Sequence, residues 1–169
     1  MKKYVAVAGN IGVGKSTLVA RLSEKLGWTP VFEAVGENPY LADFYGDMRG
    51  WSFHSQIFFL ARQLRHQQAL ARRNASILQD RCIYEDAEIF AANLHLQGTL
   101  SDRDHATYRD LYEALLDYLP APDLVIYLRA SADTLVRRIQ QRGRNYERQI
   151  APAYLAQLND LYERWIANF

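Results

Sequence analysis

The sequence predicts an α/β fold, a parallel sheet with helices on both faces, and two observations carry that prediction. Short apolar runs alternate along the chain with longer segments of helical spacing. The first run leads straight into Gly9-Asn10-Ile11-Gly12-Val13-Gly14-Lys15-Ser16, a complete G-x-x-x-x-G-K-[ST] pattern that needs a strand before it and a helix after it.

Tyr4 to Ala8 is apolar and ends at glycine, as a buried parallel strand would. Ser16 to Leu26 follows with Leu18, Val19, Leu22 and Leu26 on one side, and Gly27 closes it in the left-handed conformation. Val31-Phe32 predicts a second strand ending at Glu33. Asn38-Pro39 predicts a helix start, with Asn38 as cap and Pro39 at the first helical position. A long helix runs from about Trp51 to Arg73, with Phe53, Ile57, Leu60, Ala61 and Leu64 as one stripe, widened by Phe58 and Phe59. Ala75 to Gln79 predicts a third strand ending at Asp80-Arg81. Helices follow over Tyr84–Leu96 and roughly Ser101–Leu119, then the clearest strand, Leu124–Leu128. Ser131 caps a helix ending at Gly143, and a last helix starts near Pro152.

At 169 residues the chain fits one domain, and 49% hydrophobic with 23% charged residues is a globular balance. A net charge of +1 gives no global field toward nucleic acid or an anionic membrane. The single cysteine, Cys82, excludes an intrachain disulfide and predicts a reducing, cytoplasmic setting. No apolar run approaches the roughly 20 residues of a membrane span. The apolar start stops at Gly9 and opens a phosphate loop, so it is read as a strand and not as a signal peptide.

In the loop, with Thr17 behind it, glycines let backbone N–H groups converge on phosphate oxygens at the positive end of the next helix. Lys15 would reach the β- and γ-phosphates and Ser16 the magnesium of a nucleoside triphosphate. A glycine-rich turn with a chance lysine is the plain alternative, and the strand–loop–helix context weighs against it. Glu33, Asp80 and Asp86 fall at or beyond strand ends, where open parallel sheets bind ligands. One carboxylate can hold magnesium while another accepts the acceptor's proton; Glu33 and Asp80 both stay open as the base. Arg81 sets a guanidinium where charge develops, unless Asp80-Arg81 is a surface turn. Arg137, Arg138, Arg142, Arg144 and Arg148 crowd one short segment around Gly143. They suit a lid closing on a triphosphate better than a solvated basic helix.

Together these residues resemble the deoxynucleoside kinase family, with the bacterial deoxyadenosine and deoxyguanosine kinases most similar. The match spans nearly the whole chain: Gly9–Thr17, Glu33, Asn38-Pro39-Tyr40-Leu41, Tyr45, Trp51-Ser52-Phe53, Gln56, Asp80-Arg81, Tyr84-Glu85-Asp86, and Arg138-Ile139-x-x-Arg142-Gly143-Arg144-Asn145 with Glu147. The resemblance implies a P-loop kinase fold with an Arg-rich lid, ATP as phosphate donor and Mg2+. It implies that Glu33 activates the 5′-hydroxyl of a deoxynucleoside. Tyr45 and Glu147 would hold the sugar 3′-hydroxyl, and Gln56 and Asp86 the base. Arg81 would stand at the reacting centre, Asp80 and Ser16 at the metal, and Arg138, Arg142 and Arg144 on the phosphates. Phe53 and Phe90 would flank the base, unless they are plain core. His54, Trp51 and Cys82 are read as structural.

The sequence departs from the family in four places. Glu33-Ala34-Val35 stands where Glu-Pro-Val is usual, and Cys82 where serine is usual. A base-reading arginine falls on Gln63, beside Arg62; Gln63 shares the face of Gln56 at i+7 and is preferred. The family's final strand, and the loop beside it that normally cradles the donor adenine, are missing after Phe169, which implies either a truncated chain or lost donor-base selectivity.

A nucleoside is a neutral alcohol that needs a base, whereas a nucleoside monophosphate would be repelled by Glu33; this favours a nucleoside kinase over a thymidylate-type kinase. Asp86 accepts hydrogen bonds, so a base with an exocyclic amine suits it and thymine does not. Purine deoxynucleosides are expected, in nucleotide salvage. A catalytically silent nucleotide-binding assembly subunit is the other class. A dimer is expected through Trp51–Arg73 and Tyr84–Leu96, with an identical chain or a sister kinase. Nothing points to a zinc site, a nucleophilic triad or nucleic-acid binding.

Overall fold

A computed structural model of the chain describes residues 2–33, 35–71 and 75–169. Four parallel strands, β1 (Tyr4–Gly9), β2 (Thr29–Val31), β3 (Ile77–Asp80) and β4 (Leu124–Leu128), lie in the order β2-β3-β1-β4. β1 is central, and its five residues after Tyr4 are buried. Val5 and Val7 pack with Leu78 against Val19 of α1 (Lys15–Leu26), on one face. On the other, buried Gln79 hydrogen-bonds to Gln63 and Gln67 of α3 (Met48–Ala71). The parallel sheet with helices on both faces is as the sequence predicts.

Most element ends follow the sequence signals. Gly27 caps α1 at φ 68°, and Gly143 ends α7 (Ala132–Arg142) at φ 71°. Ser101 and Ser131 cap α6 (Asp102–Leu116) and α7 through their side chains, and Pro152 opens α8 (Pro152–Ala167). Some boundaries differ. β2 lies two residues earlier than expected, because its partner β3 turns away after Asp80; Phe32 and Glu33 then have no strand to pair with. Pro30 is tolerated there because β2 is an edge strand. Asn38 accepts from Tyr40 N at 3.0 Å in a turn, but α2 begins only at Leu41 (Leu41–Gly46) with Tyr40 at its N-cap position, so Asn38 is not the cap and Pro39 is not the first helical residue. The predicted end of the long helix at Arg73 lies outside the described residues.

The helix expected over Tyr84–Leu96 is three joined pieces: α4 (Ile83–Glu85), a π-helical stretch Asp86–Ala91, and α5 (Ala92–Leu96). An inserted residue in a helix leaves no trace in a 3.6-residue period, and such wide turns often mark functional sites. Asp86 and Phe90 are both on it.

Candidate active site

The phosphate loop joins β1 to α1, and two of its glycines are sterically obligatory. Gly9 has φ 146°, and a Cβ there would sit 2.7 Å from Leu128 O. A Cβ on Gly12, at φ 80°, would meet Ile139 at 2.9 Å. Lys15 Nζ donates to Gly9 O at 2.8 Å and Asn10 O at 3.0 Å, so the ammonium lies folded over its own loop. Burial, and then the positive charge of Arg81, bring its pKa down to about 8. Asn10 turns away from the loop's mouth; its side chain holds Leu155 O and Asn159 on α8. Gly9 N is likewise committed, donating to Glu85 at 3.1 Å. Thus Gly9 and Asn10 shape the loop from behind, and their placement corrects their expected direct role on ATP. Ile11, Gly12, Val13, Gly14, Lys15, Ser16 and Thr17 line its open side.

Register places the acidic end of β3 beside this loop, with Val7 opposite Asp80. Asp80 Oδ2 accepts from Ser16 Oγ at 2.5 Å, while its buried Oδ1 has no partner among the described residues. Arg81 follows with φ 68°, the only positive φ among described non-glycine residues. That conformation costs on the order of 1–2 kcal/mol and turns the chain from strand to helix. Arg81 N donates to Val7 O at 3.0 Å, and its carbonyl accepts from Gln79 Nε2 at 2.9 Å. Its guanidinium, 3% exposed, meets Glu33 Oε1 at 2.9 Å and stacks 4.2 Å over the Phe90 ring. Asp80-Arg81 is therefore no surface turn.

Beyond this pair opens a cavity of about 820 Å³, its open mouth included. Glu33, Tyr45, Gln56, Asp86, Phe90 and Glu147 all line it. The lining carries two unsatisfied acceptors: Asp86 Oδ2 and Gln56 Oε1 are buried with no hydrogen-bond partner among the described residues. Burial, and then the charge of Glu33, push the Asp86 carboxyl well above the usual carboxylate range, with Arg81 opposing. Gln63 departs from expectation. It does not line the cavity but stands behind Asp86, in a buried amide chain in which Gln79 donates to Gln63 and Gln67 donates to Gln79 and Tyr4. Arg62 points elsewhere, to Glu37 at 2.9 Å. Phe53 packs with the core, and Phe59 takes the aromatic place in the cavity wall.

Arg138 donates to Val13 O at 2.8 Å and lines the groove outside the loop. Arg142 and Arg144 border both that groove and the cavity. Both hold Glu147: Arg142 Nε at 3.0 Å and Nη2 at 2.6 Å, Arg144 Nη1 at 3.3 Å. Arg137 leaves the cluster, bonding Thr134 on the exposed face, and the side chain of Arg148 lies outside the described residues. Two further groups were given no role from the sequence. Glu85 and Tyr162 are fully buried against Arg81 and Gly9; Tyr162 carries no local pattern, and Glu85 stood only within the Tyr84-Glu85-Asp86 match.

A loop built to cradle phosphates, a carboxylate–arginine pair at the adjacent strand end and an acceptor cavity beside them define a P-loop phosphotransferase with a small acceptor. The chain belongs to the deoxynucleoside kinase family, which matches residues 5–169. It is 43% identical over 167 residues to the deoxyadenosine/deoxycytidine kinase of Bacillus subtilis (strain 168), covering 98% of this chain and 77% of that protein. The deoxyguanosine kinase of the same organism is 37% identical over 160 residues, covering 95% and 76%. A solved deoxyadenosine kinase from M. mycoides with bound dATP superposes with a TM-score of 0.88 at 34% identity, over 98% of this chain and 84% of that one. The same kinase with dCMP and a flexible dCDP gives 0.90 at equal identity and coverage. The silent-subunit and thymidylate-type readings give way to this membership. Among the described residues, no helix is long and apolar enough to cross a membrane.

Proposed function

We propose that this chain transfers the γ-phosphoryl group of ATP to the 5′-hydroxyl of deoxyadenosine, with deoxycytidine as its second substrate. The observation that carries the base assignment is the pair of buried acceptors, Asp86 Oδ2 and Gln56 Oε1, without partners among the described residues, in the cavity that Glu33 and Arg81 also line. An exocyclic amine supplies the hydrogens they lack. Adenine and cytosine both carry such an amine, and thymine carries a carbonyl in its place. Relatives named for deoxyadenosine and deoxycytidine agree with that pairing.

Glu33 takes the 5′-hydroxyl proton, because Asp80 is already turned to Ser16 on the loop side. Its ion pair with Arg81 aims the carboxylate and brings the guanidinium to the γ-phosphoryl oxygens. Ser16 and the unpartnered Asp80 Oδ1 suit Mg2+, which would neutralise charge between the β- and γ-phosphates. Lys15 leaves its loop carbonyls for those phosphates. Arg138, Arg142 and Arg144 form the lid; as Arg142 and Arg144 turn to phosphate, Glu147 is freed to join Tyr45 on the sugar 3′-hydroxyl. Gln63 supports the base contact through Asp86. The reaction belongs to cytoplasmic salvage, and the chain acts as a homodimer through α3 and the Ile83–Leu96 helix; sedimentation showing only monomer would reject the dimer.

A coupled assay of the four deoxynucleosides with ATP tests the reading: deoxyadenosine turns over best, deoxycytidine next, and thymidine least. Thymidine as best substrate would overturn the role of Asp86. Asp86→Asn puts a donor where one acceptor stood, so it lowers kcat/KM for deoxyadenosine by about tenfold and for thymidine by less. Equal losses on both would contradict the assignment.

Lys15 gives a pH dependence. A depressed ammonium pKa means the charged form prevails below about 8 and is lost above it. Phosphate binding favours the charged form, so ATP affinity falls as pH rises beyond that value, with proton uptake on binding. Calorimetry in buffers of different ionisation enthalpy reads this uptake directly, and Lys15→Met abolishes it.

A further inference from the structure

Glu85 and Tyr162 have no part in the transfer itself, yet they tie its two halves together. The Tyr162 hydroxyl, on α8, lies 2.9 Å from Arg81 Nη1, 2.7 Å from Glu85 Oε1 and 3.0 Å from Gly9 O. Glu85 Oε1 also accepts from Gly9 N at 3.1 Å, and Oε2 accepts from Cys82 N at 2.9 Å. One phenol and one carboxylate therefore hold the first peptide of the phosphate loop, the turn bearing Arg81, and the Arg81 guanidinium.

A phenol has one proton to give. Arg81 donates to Tyr162, so that proton goes either to Glu85 or to Gly9 O. With Lys15 donating to Gly9 O, the carboxylate takes it, through the shorter and charge-assisted bond. Burial, with Glu85 alongside, pushes the phenol well up, so it stays protonated throughout. Once Lys15 leaves for phosphate, Gly9 O lacks that donor and Tyr162 stands ready to replace it. Glu85 Oε1 then loses the phenol proton, and the nearest cation is Arg81 Nη1, 3.6 Å away.

We propose, resting on the function above, that Glu85 and Tyr162 are positioning residues that couple occupancy of the phosphate loop to the orientation of Arg81, and through it Glu33. The test is Tyr162→Phe, which removes one oxygen from a packed ring. Turnover of deoxyadenosine falls about tenfold, with its KM changed less than about threefold. In the wild type a non-hydrolysable ATP analogue tightens deoxyadenosine binding; in Tyr162→Phe it does not. In an Arg81→Lys background the same change costs less than about twofold more, because its effect runs through Arg81. A purely structural tyrosine would lower the melting temperature and leave the analogue's effect intact. Glu85→Gln, which keeps the shape but only one acceptor oxygen, for either Gly9 N or Cys82 N, gives the same pattern by a separate route. Wild-type turnover and an undiminished analogue effect in either folded variant overturn the coupling. Wild-type protein that phosphorylates no deoxynucleoside refutes the proposed function instead.

Discussion

Glu33→Gln lowers deoxyadenosine turnover by about 10²–10⁴, the range for loss of a positioned general base, while ATP binding persists. The substitution keeps the shape and one acceptor for Arg81 but cannot take the 5′-hydroxyl proton. Glu33 lines the acceptor cavity and meets Arg81 at 2.9 Å, whereas Asp80 is held by Ser16. Steady-state turnover with calorimetric ATP affinity separates the two effects. Turnover within about threefold of wild type would pass the base role to Asp80.

Arg81→Met is the most damaging change to fold and function together. Arg81 is 3% exposed and lies against Glu33 and fully buried Glu85. Methionine fills the space over Phe90 but leaves those carboxylates without their cation. Stripping one partner from a buried ion pair costs about 3–5 kcal/mol. Urea unfolding at neutral pH reads that loss as a lowered midpoint. Turnover of the folded fraction falls by about 10²–10³, as when a transition-state donor is removed. Arg81→Lys recovers most of the stability but little of the turnover, since an ammonium cannot bridge Glu33 and Tyr162 as the planar fork does. A variant Arg81→Met as stable as wild type would show that the buried acids are compensated elsewhere.

The sequence made the donor side legible because its signals are local. A strand, a glycine loop and a helix in immediate succession specify the cradle, and Asp80-Arg81 follows from a strand end beside it. Lines of sight across the cavity were harder. Gln56 and Asp86 were found through a resemblance that spans the chain, and their burial without partners emerges only from the fold. Phe53 and Phe59 both lie on a helix with apolar residues on more than one face. Sequence could not say which aromatic faces the cavity. Gln63 was on the expected face, but a layer deeper, because Gln79 from β3 engages it. The wide turn at Asp86–Ala91 hides in a helical period. Tyr162 and Glu85 meet the loop across 153 and 76 residues of chain, a separation that no motif spans.

Transfer by this route requires a sugar alcohol, and not an acceptor phosphate, beside Glu33. A crystal structure with deoxyadenosine and a non-hydrolysable ATP analogue tests that placement directly. The 5′-oxygen should lie within hydrogen-bonding distance of the Glu33 carboxylate and in line with the γ-phosphorus over Lys15, with the adenine amine on Asp86. A sugar turned away from Glu33, or the tail of a bound monophosphate in its place, would contradict it.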